Sequence, residues 1–519
     1  MASRKISRLS CQGRAFVTVK SERKADGICG GTPRAVSWCL LDIDSTGATE
    51  ERRKAMDASL TSWNTALTRK IARALCLLAL VAACRPAWGI PAFARKYGLR
   101  CSACHEAWPK LNNFGQVFKD NGYQLMNDRD SPIWQNPSYF PLTIRITPQW
   151  HRENDNRMAV DHTPGDATSG LVERSVTTSG FDLSGLDLWT AGTLVKNISF
   201  TVLPSFDGDG TFGFEAAWVR FDNLFKSPWF NAKFGKFELD TPVSEKRFLA
   251  LTDNGGIYQV YHFLPVTSDI NSFAGIGENQ LGIELMGHSR NSYTRYAVSL
   301  LSSNSGETGL PTNHGYDLYG NVNKAFEVGS LGLQRVGAYG YWGQSPTYYL
   351  TSGGEPIPGT GQGNRPFYRA GVYGIWYLRK WDFSTTYMHG KDNAFLGTGT
   401  PANQPLPPGA EGPTWNGGFV ETHYTWNPQL ILVGRYEGIR ISKQSFPIGT
   451  LLPNGGLLTS DFGNIDAGVL GFRWYPIMMS RAGLALHLEY SRVRMRGAAP
   501  VTGRDLTTNS FMTGFDVAF

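Results

Sequence analysis

From Pro141 to Phe519 the chain alternates apolar and polar residues in short runs, separated by stretches rich in Gly, Asn, Asp and Pro. Alternation at a period of two sends successive side chains to opposite faces of a strand. In Leu484 to Tyr490 one face is Leu484, Leu486, Leu488 and Tyr490, and the other is Ala485, His487 and Glu489. The last run repeats this, with Phe511, Thr513, Phe515, Val517 and Phe519 against Met512, Gly514, Asp516 and Ala518. A strand with an apolar face and a charged face suits lipid outside and water inside, the reverse of a soluble sandwich.

Roughly sixteen such strands are predicted, beginning near Leu142, Leu186, Ile198, Phe212, Trp229, Leu281, Tyr293, Gly315, Leu331, Phe367, Trp381, Gly417, Gln429, Gly463, Ala482 and Ser510. Brief turns fall at Lys196-Asn197, Ser289 to Ser292, Val328 to Ser330, Lys380-Trp381, Asn427-Pro428 and Met478 to Arg481. Long polar connections lie between them, at Asp240 to Gln280, Gln344 to Arg365 and Phe395 to Trp415. Short turns at one end and long loops at the other are the signature of a transmembrane barrel. Within the first loop, 247–252 and 257–263 could pair as extra strands, giving eighteen. The predicted fold is therefore an all-β transmembrane barrel of about sixteen antiparallel strands over 141–519, and an even count returns both chain ends to the short-turn side. Trp150, Trp229, Trp342, Trp376, Trp381, Trp426 and Trp474 lie near strand ends, as interfacial girdles require. A propeller also has many short strands, but no repeat of propeller period is visible.

Before the strands the pattern is different. Leu111, Phe114, Val117 and Phe118 recur at helical spacing after Pro109, which can start a helix, and Gly122 can end it. Further upstream, Lys70 and Arg73 precede an apolar run from Ala74 to Cys84 and the small-x-small triplet Ala87-Trp88-Gly89, so 56–89 reads as a secretory signal. Processing at Cys84 after Val81-Ala82-Ala83 would instead attach a lipid anchor. Residues 1–55 read as an upstream extension of a misassigned start, and the mature chain begins near Ile90.

Composition agrees with a barrel: of 519 residues 59 are Gly, 13% are aromatic and only 18% are charged. No apolar run of about 18 residues follows the signal, which argues against helical spans. The formal net charge of +7 comes from scattered basic residues, so no nucleic-acid partner is expected.

The chemistry lies in 90–140. Cys101-Ser102-Ala103-Cys104-His105 is C-x-x-C-H, the attachment motif for c-type haem. Cysteines three apart share one helical face, so both sulfurs can bond one porphyrin edge while the next residue's imidazole reaches the iron. A thioredoxin-like dithiol lacks its βαβ context here, and half a zinc site lacks a second ligand pair. One covalently held haem c is expected, with His105 as its axial ligand. For the sixth iron position Met126 is the nearest candidate, followed by His151, Met158 and His162, and a five-coordinate iron is the alternative.

Ile90 to Gly98, the C-x-x-C-H motif, Pro109 to Gly115, Phe118-Lys119 and Gly122-Tyr123 together resemble the outer-membrane monohaem cytochrome c and porin fusions, which include cytochromes that oxidise extracellular Fe(II). The resemblance is specific over 90–123 and architectural beyond, and Cys101, Cys104 and His105 are the site residues it carries over. It implies electron transfer across the bacterial outer membrane, from an extracellular donor such as Fe(II) to a periplasmic carrier such as a soluble cytochrome. The chain would then be an oxidoreductase of the Fe(II):cytochrome c type. A terminal Phe on the last strand also matches such barrels.

A single haem must exchange electrons with both sides of an apolar band about 25 Å tall. Residues 90–140 are therefore expected to plug the lumen or its periplasmic mouth. Inward acidic residues Glu284, Asp317, Glu421, Glu489 and Asp516 could attract a cation or could be ordinary solvated lumen groups. The alternative function is a solute-permeable porin with a tethered haem segment of structural or sensory role.

Overall fold

In the computed structural model, residues 1–91, 108–109, 127–129, 131, 133, 135–141, 207–211, 241–278, 303–314, 347–363, 392–393, 396–403, 406–413, 442–463, 480–481, 498 and 500 lie outside the described residues, and all others are described. The signal region, Pro109 and the two extra strand candidates within 241–278 thus fall outside them.

The segment before the barrel holds helices α1 (Ala92–Tyr97), α2 (Cys101–Cys104) and α3 (Asn113–Asp120), with a two-stranded ribbon of β1 (His105–Ala107) and β2 (Lys110–Leu111) between α2 and α3. The barrel follows with β3 (Leu142–Asp161), β4 (Leu171–Val195), β5 (Ile198–Phe206), β6 (Phe212–Phe221), β7 (Asn231–Phe237), β8 (Gln280–His288), β9 (Thr294–Ser302) and β10 (Tyr316–Glu327). It continues with β11 (Leu333–Pro346), β12 (Asn364–Leu378) and β13 (Trp381–Lys391), then a separate ribbon of β14 (Ala394–Phe395) and β15 (Gln404–Pro405). The wall is completed by β16 (Thr414–Asn427), β17 (Leu430–Ile441), β18 (Ile465–Met478), β19 (Gly483–Met495) and β20 (Leu506–Ala518). Setting aside the two short ribbons, sixteen strands form one closed antiparallel barrel, each beside its sequence neighbour, with β20 pairing back onto β3 through Val517 and Ile146. Closure leaves no unpaired edge, which a lipid environment demands.

The expected starts hold to within a few residues except at two strands. β4 begins at Leu171 rather than Leu186, because β3 and β4 form one long hairpin whose register runs out to Asp161 and Leu171. Its outer half is polar and Thr/Ser-rich, so it lacks the apolar alternation that marks a lipid-facing strand. β20 begins at Leu506 rather than Ser510, with Thr507 and Thr508 paired to Arg494 and Val493.

The inversion predicted from the alternation is present throughout. Leu285, Val298, Leu318, Val322, Val372, Val420 and Leu470 project outward and are exposed, while Glu284, Arg295, Glu421 and Arg473 on the same strands point inward and are buried. An exposed apolar surface wrapping a whole barrel is far larger than a soluble protein leaves uncovered. Trp342, Trp376, Trp381, Trp426 and Trp474 stand on that outer face.

Candidate functional site: the N-terminal segment at the barrel mouth

Asn112 caps α3, its side-chain oxygen accepting from the Gly115 N–H at 2.9 Å. The far end closes as a Schellman turn: Tyr123 N–H donates to Phe118 O (3.0 Å) and Gly122 N–H to Lys119 O (3.2 Å), with Gly122 at φ +75°. The glycine expected to stop the helix does so. The helix itself starts later than the apolar spacing predicts, since Leu111 belongs to β2, opposite His105. Its buried face is also not the expected stripe: Phe118 is buried, but Phe114 is exposed, and Gly115, Gln116 and Asp120 take the inner positions. The reason lies outside the helix, in a partner for Asp120 supplied by the wall.

That partner is Arg295 on β9. Its Nε and Nη2 donate to the two Asp120 oxygens at 2.8 and 2.9 Å, and Nη2 also reaches Asp240 at 2.6 Å; all three residues are nearly fully buried. A second anchor is Lys110, which donates to Asp382 of β13 and pairs with Glu106 at 3.0 Å, while Tyr377 OH donates to Glu106 at 2.7 Å. From Asp382 the buried polar chain continues along the wall to His423 (2.7 Å), Glu421 (2.7 Å), Arg435 (3.1 Å) and Glu437 (2.8 Å). A third is Arg220 of β6, whose Nη2 donates to Lys119 O at 2.7 Å and which pairs with Asp222 at 2.6 Å. Aromatic packing joins them, with Phe93 stacked on Tyr123 (centroids 4.5 Å apart) and Tyr123 on Trp218 of β6 (6.1 Å). Buried charges persist only when paired and hydrogen-bonded. Three such anchors on β6, β9 and β13 therefore hold the segment to the inner wall in one position.

The same pairing corrects the idea that inward acidic residues form a free cation-attracting field. Glu284 is paired with Lys233 (2.5 Å), Asp317 accepts from Tyr341 OH (2.6 Å), Glu421 is bonded to His423 and Arg435, and Asp516 is paired with Arg145 (3.0 Å). The Glu284, Glu421 and Asp516 charges are each met by a basic side chain. Glu489 is likewise buried and partnered.

The C-x-x-C-H motif lies at the short-turn end. Cys101 and Cys104 form the single turn of α2, neither in a disulfide, and His105 leaves it in extended conformation (φ −118°, ψ 137°). Cys101 Sγ donates to Met479 O at 3.0 Å, tying the motif to the turn between β18 and β19. α3 presses on it from behind: an added Cβ at Gly115 would stand 2.2 Å from Cys104 O, a carbonyl that accepts from Asn112 N–H at 2.9 Å. Burial raises both thiols, Cys104 to about 11 with the neighbouring Cys101 adding to the effect. Among the described residues no group of three or more His, Cys, Asp or Glu stands ready for a metal ion.

The structure keeps Cys101, Cys104 and His105 together, on α2 and the start of β1. Met126 is exposed at φ +59°, beyond Tyr123 and Leu125, whose cluster packs on Trp218. Measured along β3 from Leu142, His151 lies about 30 Å away and His162 roughly 65 Å. His151 is bonded to Ser510 at 2.7 Å. The wall residues that hold the segment, Arg295, Asp382 and Arg220, were not singled out from sequence, since each looks like any other lumen charge.

No protein-family model matches this chain, and neither does any curated protein sequence. Among solved structures, an anion-selective porin from Comamonas acidovorans is 11% identical, with a TM-score of 0.44 over 73% of this chain and 99% of that one. The loop L8 deletion mutant of OmpT, an outer-membrane protein of Vibrio cholerae, is 11% identical, with a TM-score of 0.41 over 73% and 100%. The outer-membrane channel DcaP of Acinetobacter baumannii is 11% identical, with a TM-score of 0.40 over 72% and 96%. At such values the barrel assignment stands on this chain's own strand pairing and on its apolar exterior.

Proposed function

We propose that this protein is a bacterial outer-membrane barrel carrying one covalent haem c at its periplasmic mouth, where it exchanges single electrons with a periplasmic carrier such as a soluble cytochrome and an external donor such as Fe(II). The observation that carries the reading is the one-turn helix of Cys101 and Cys104, with His105 following, held against the short-turn rim by a segment that three buried anchors lock to the wall.

The residues fit the group. Two thiols outside any disulfide share a helical face, and His105 follows them directly with extended backbone, the order that c-type attachment requires. When bound, the haem supplies a one-electron couple. Cys101 and Cys104 would hold it through thioethers and His105 would ligate its iron. The anchors at Asp120 and Lys110 keep the motif from leaving the mouth.

The fold class by itself matches the solute-permeable porin more directly than electron transfer, because a closed sixteen-strand barrel is wide enough for a channel. The buried, mutually paired lumen side chains and the seated segment favour an occluded barrel. Conductance separates the two: in planar bilayers an occluded conduit passes little ionic current and a porin much. Haem staining of denatured protein from a cytochrome-maturing host tests the cofactor, and colourless protein would end the haem reading. Adding Fe(II) to the oxidised protein tests the donor; haem reduction within seconds is expected, and no spectral change removes iron while leaving electron transfer with another donor.

A further inference from the structure

On the haem reading above, which this inference deepens, we infer that Met479, carried by the barrel's β18–β19 turn, is the second axial ligand of the iron that His105 ligates from the N-terminal segment. The starting observation is the 3.0 Å hydrogen bond from Cys101 Sγ to Met479 O, which joins two residues far apart in sequence at the barrel rim. Thioether formation at Cys101 would consume the thiol proton and with it this hydrogen bond, but it would leave the Met479 backbone beside the attached sulfur.

The turn holds two methionines, and the structure separates their roles. Met478 packs against the buried lumen cluster. Met479 is 63% exposed, with its backbone pinned by a 3.1 Å hydrogen bond from its N–H to Ala482 O. A pinned backbone and an uncommitted side chain are what a distal ligand needs before its metal arrives. Methionine has three rotatable bonds and a polarizable thioether, so from this position its sulfur can sweep the space beside the porphyrin edge. The rival Met126 is exposed, and His151 and Met158 stand well up β3, with His162 just past its end.

A thioether sulfur is a neutral, soft donor that favours ferrous iron and raises the potential relative to a second histidine. A high potential is what acceptance of an electron from a weak donor requires. Ligation from both sides also makes the iron a cross-link: His105 belongs to the segment and Met479 to the barrel, so the full ligand set exists only when the segment is seated.

The test uses full-length, haem-matured protein in detergent, with Met479→Leu, Met479→His, Met478→Leu and Met126→Leu. The wild-type ferric form should show the red charge-transfer absorption of a sulfur-ligated haem, and the ferrous form a strongly upfield methionine methyl resonance. Met479→Leu should lose both, Met479→His should give a bis-histidine spectrum with a lower potential, and the other two variants should keep both signals. Unchanged heat-modifiable migration on gels checks that each barrel is folded. A sulfur signature that survives Met479→Leu, or that Met126→Leu removes, overturns the assignment. Coloured wild-type protein without that signature overturns the ligand and leaves the haem standing, whereas colourless wild-type protein overturns both.

Discussion

Asp120 closes the last turn of α3 and receives both prongs of the Arg295 guanidinium, at 2.8 and 2.9 Å, from a strand 175 residues further along the chain. Arg295 reaches Asp240 as well, so one cation serves two carboxylates inside the barrel. Removing one partner of a buried pair leaves uncompensated charge, whereas neutralising all partners together costs far less.

Arg295→Met should therefore destabilise the seated segment by about 3–5 kcal/mol. It should also raise planar-bilayer conductance and expose α3 to protease. The triple variant Arg295→Met, Asp120→Asn, Asp240→Asn should recover much of that loss. If the single variant and wild type are cleaved at equal rates, this pair is not what holds the segment.

Gly115→Ala places a methyl where Cys104 O already stands, 2.2 Å away, and that carbonyl cannot retreat without losing the Asn112 N–H. Overpacking of this kind costs about 1–3 kcal/mol. The haem content per mole of barrel should fall, with barrel yield unchanged. Undiminished haem staining would refute close packing of α3 on the motif.

Gly122→Ala combines two penalties. The residue is at φ +75°, where a side chain is strained, and its Cβ would stand 2.4 Å from Asp222 Oδ2, which accepts from Ser199 (2.8 Å) while Oδ1 of the same carboxylate pairs with Arg220 (2.6 Å). A loss of roughly 2 kcal/mol is expected, read as earlier thermal release of the segment, while Gly98→Ala, with open space around it, should cost less.

In protein without haem, the Cys104 thiol, pushed up from 9.0 to about 11 by burial and by its Cys101 neighbour, should alkylate slowly at neutral pH and faster as pH rises. The sign for stability follows from the raised value. Below 9 the thiol is neutral whether folded or unfolded, and between about 9 and 11 only the unfolded chain ionises freely, so stability of the segment falls across that window. Half-maximal alkylation near pH 9 would contradict the burial of this sulfur.

The strand number, the inward and outward faces and the C-x-x-C-H motif were legible along the chain because each depends on local spacing: two residues per strand repeat, three between cysteines on one helical turn. The stop at Gly122 was legible for the same reason. The apolar stripe of α3 misled at Leu111 and Phe114, since helical periodicity carries no information about a charged partner that arrives 175 residues later. The polar outer half of the β3–β4 hairpin was missed because lipid does not mark it.

What the chain by itself determined is a lipid-facing barrel and a pair of thiols on one helical turn with His105 next to them, all consequences of short-range spacing. What only the tertiary structure decided is their meeting: Asp120 with Arg295, Lys110 with Asp382, and Cys101 with the turn at Met479. Barrel closure brings distant strands around the segment, and buried charge selects its partner by position in space rather than by order in sequence.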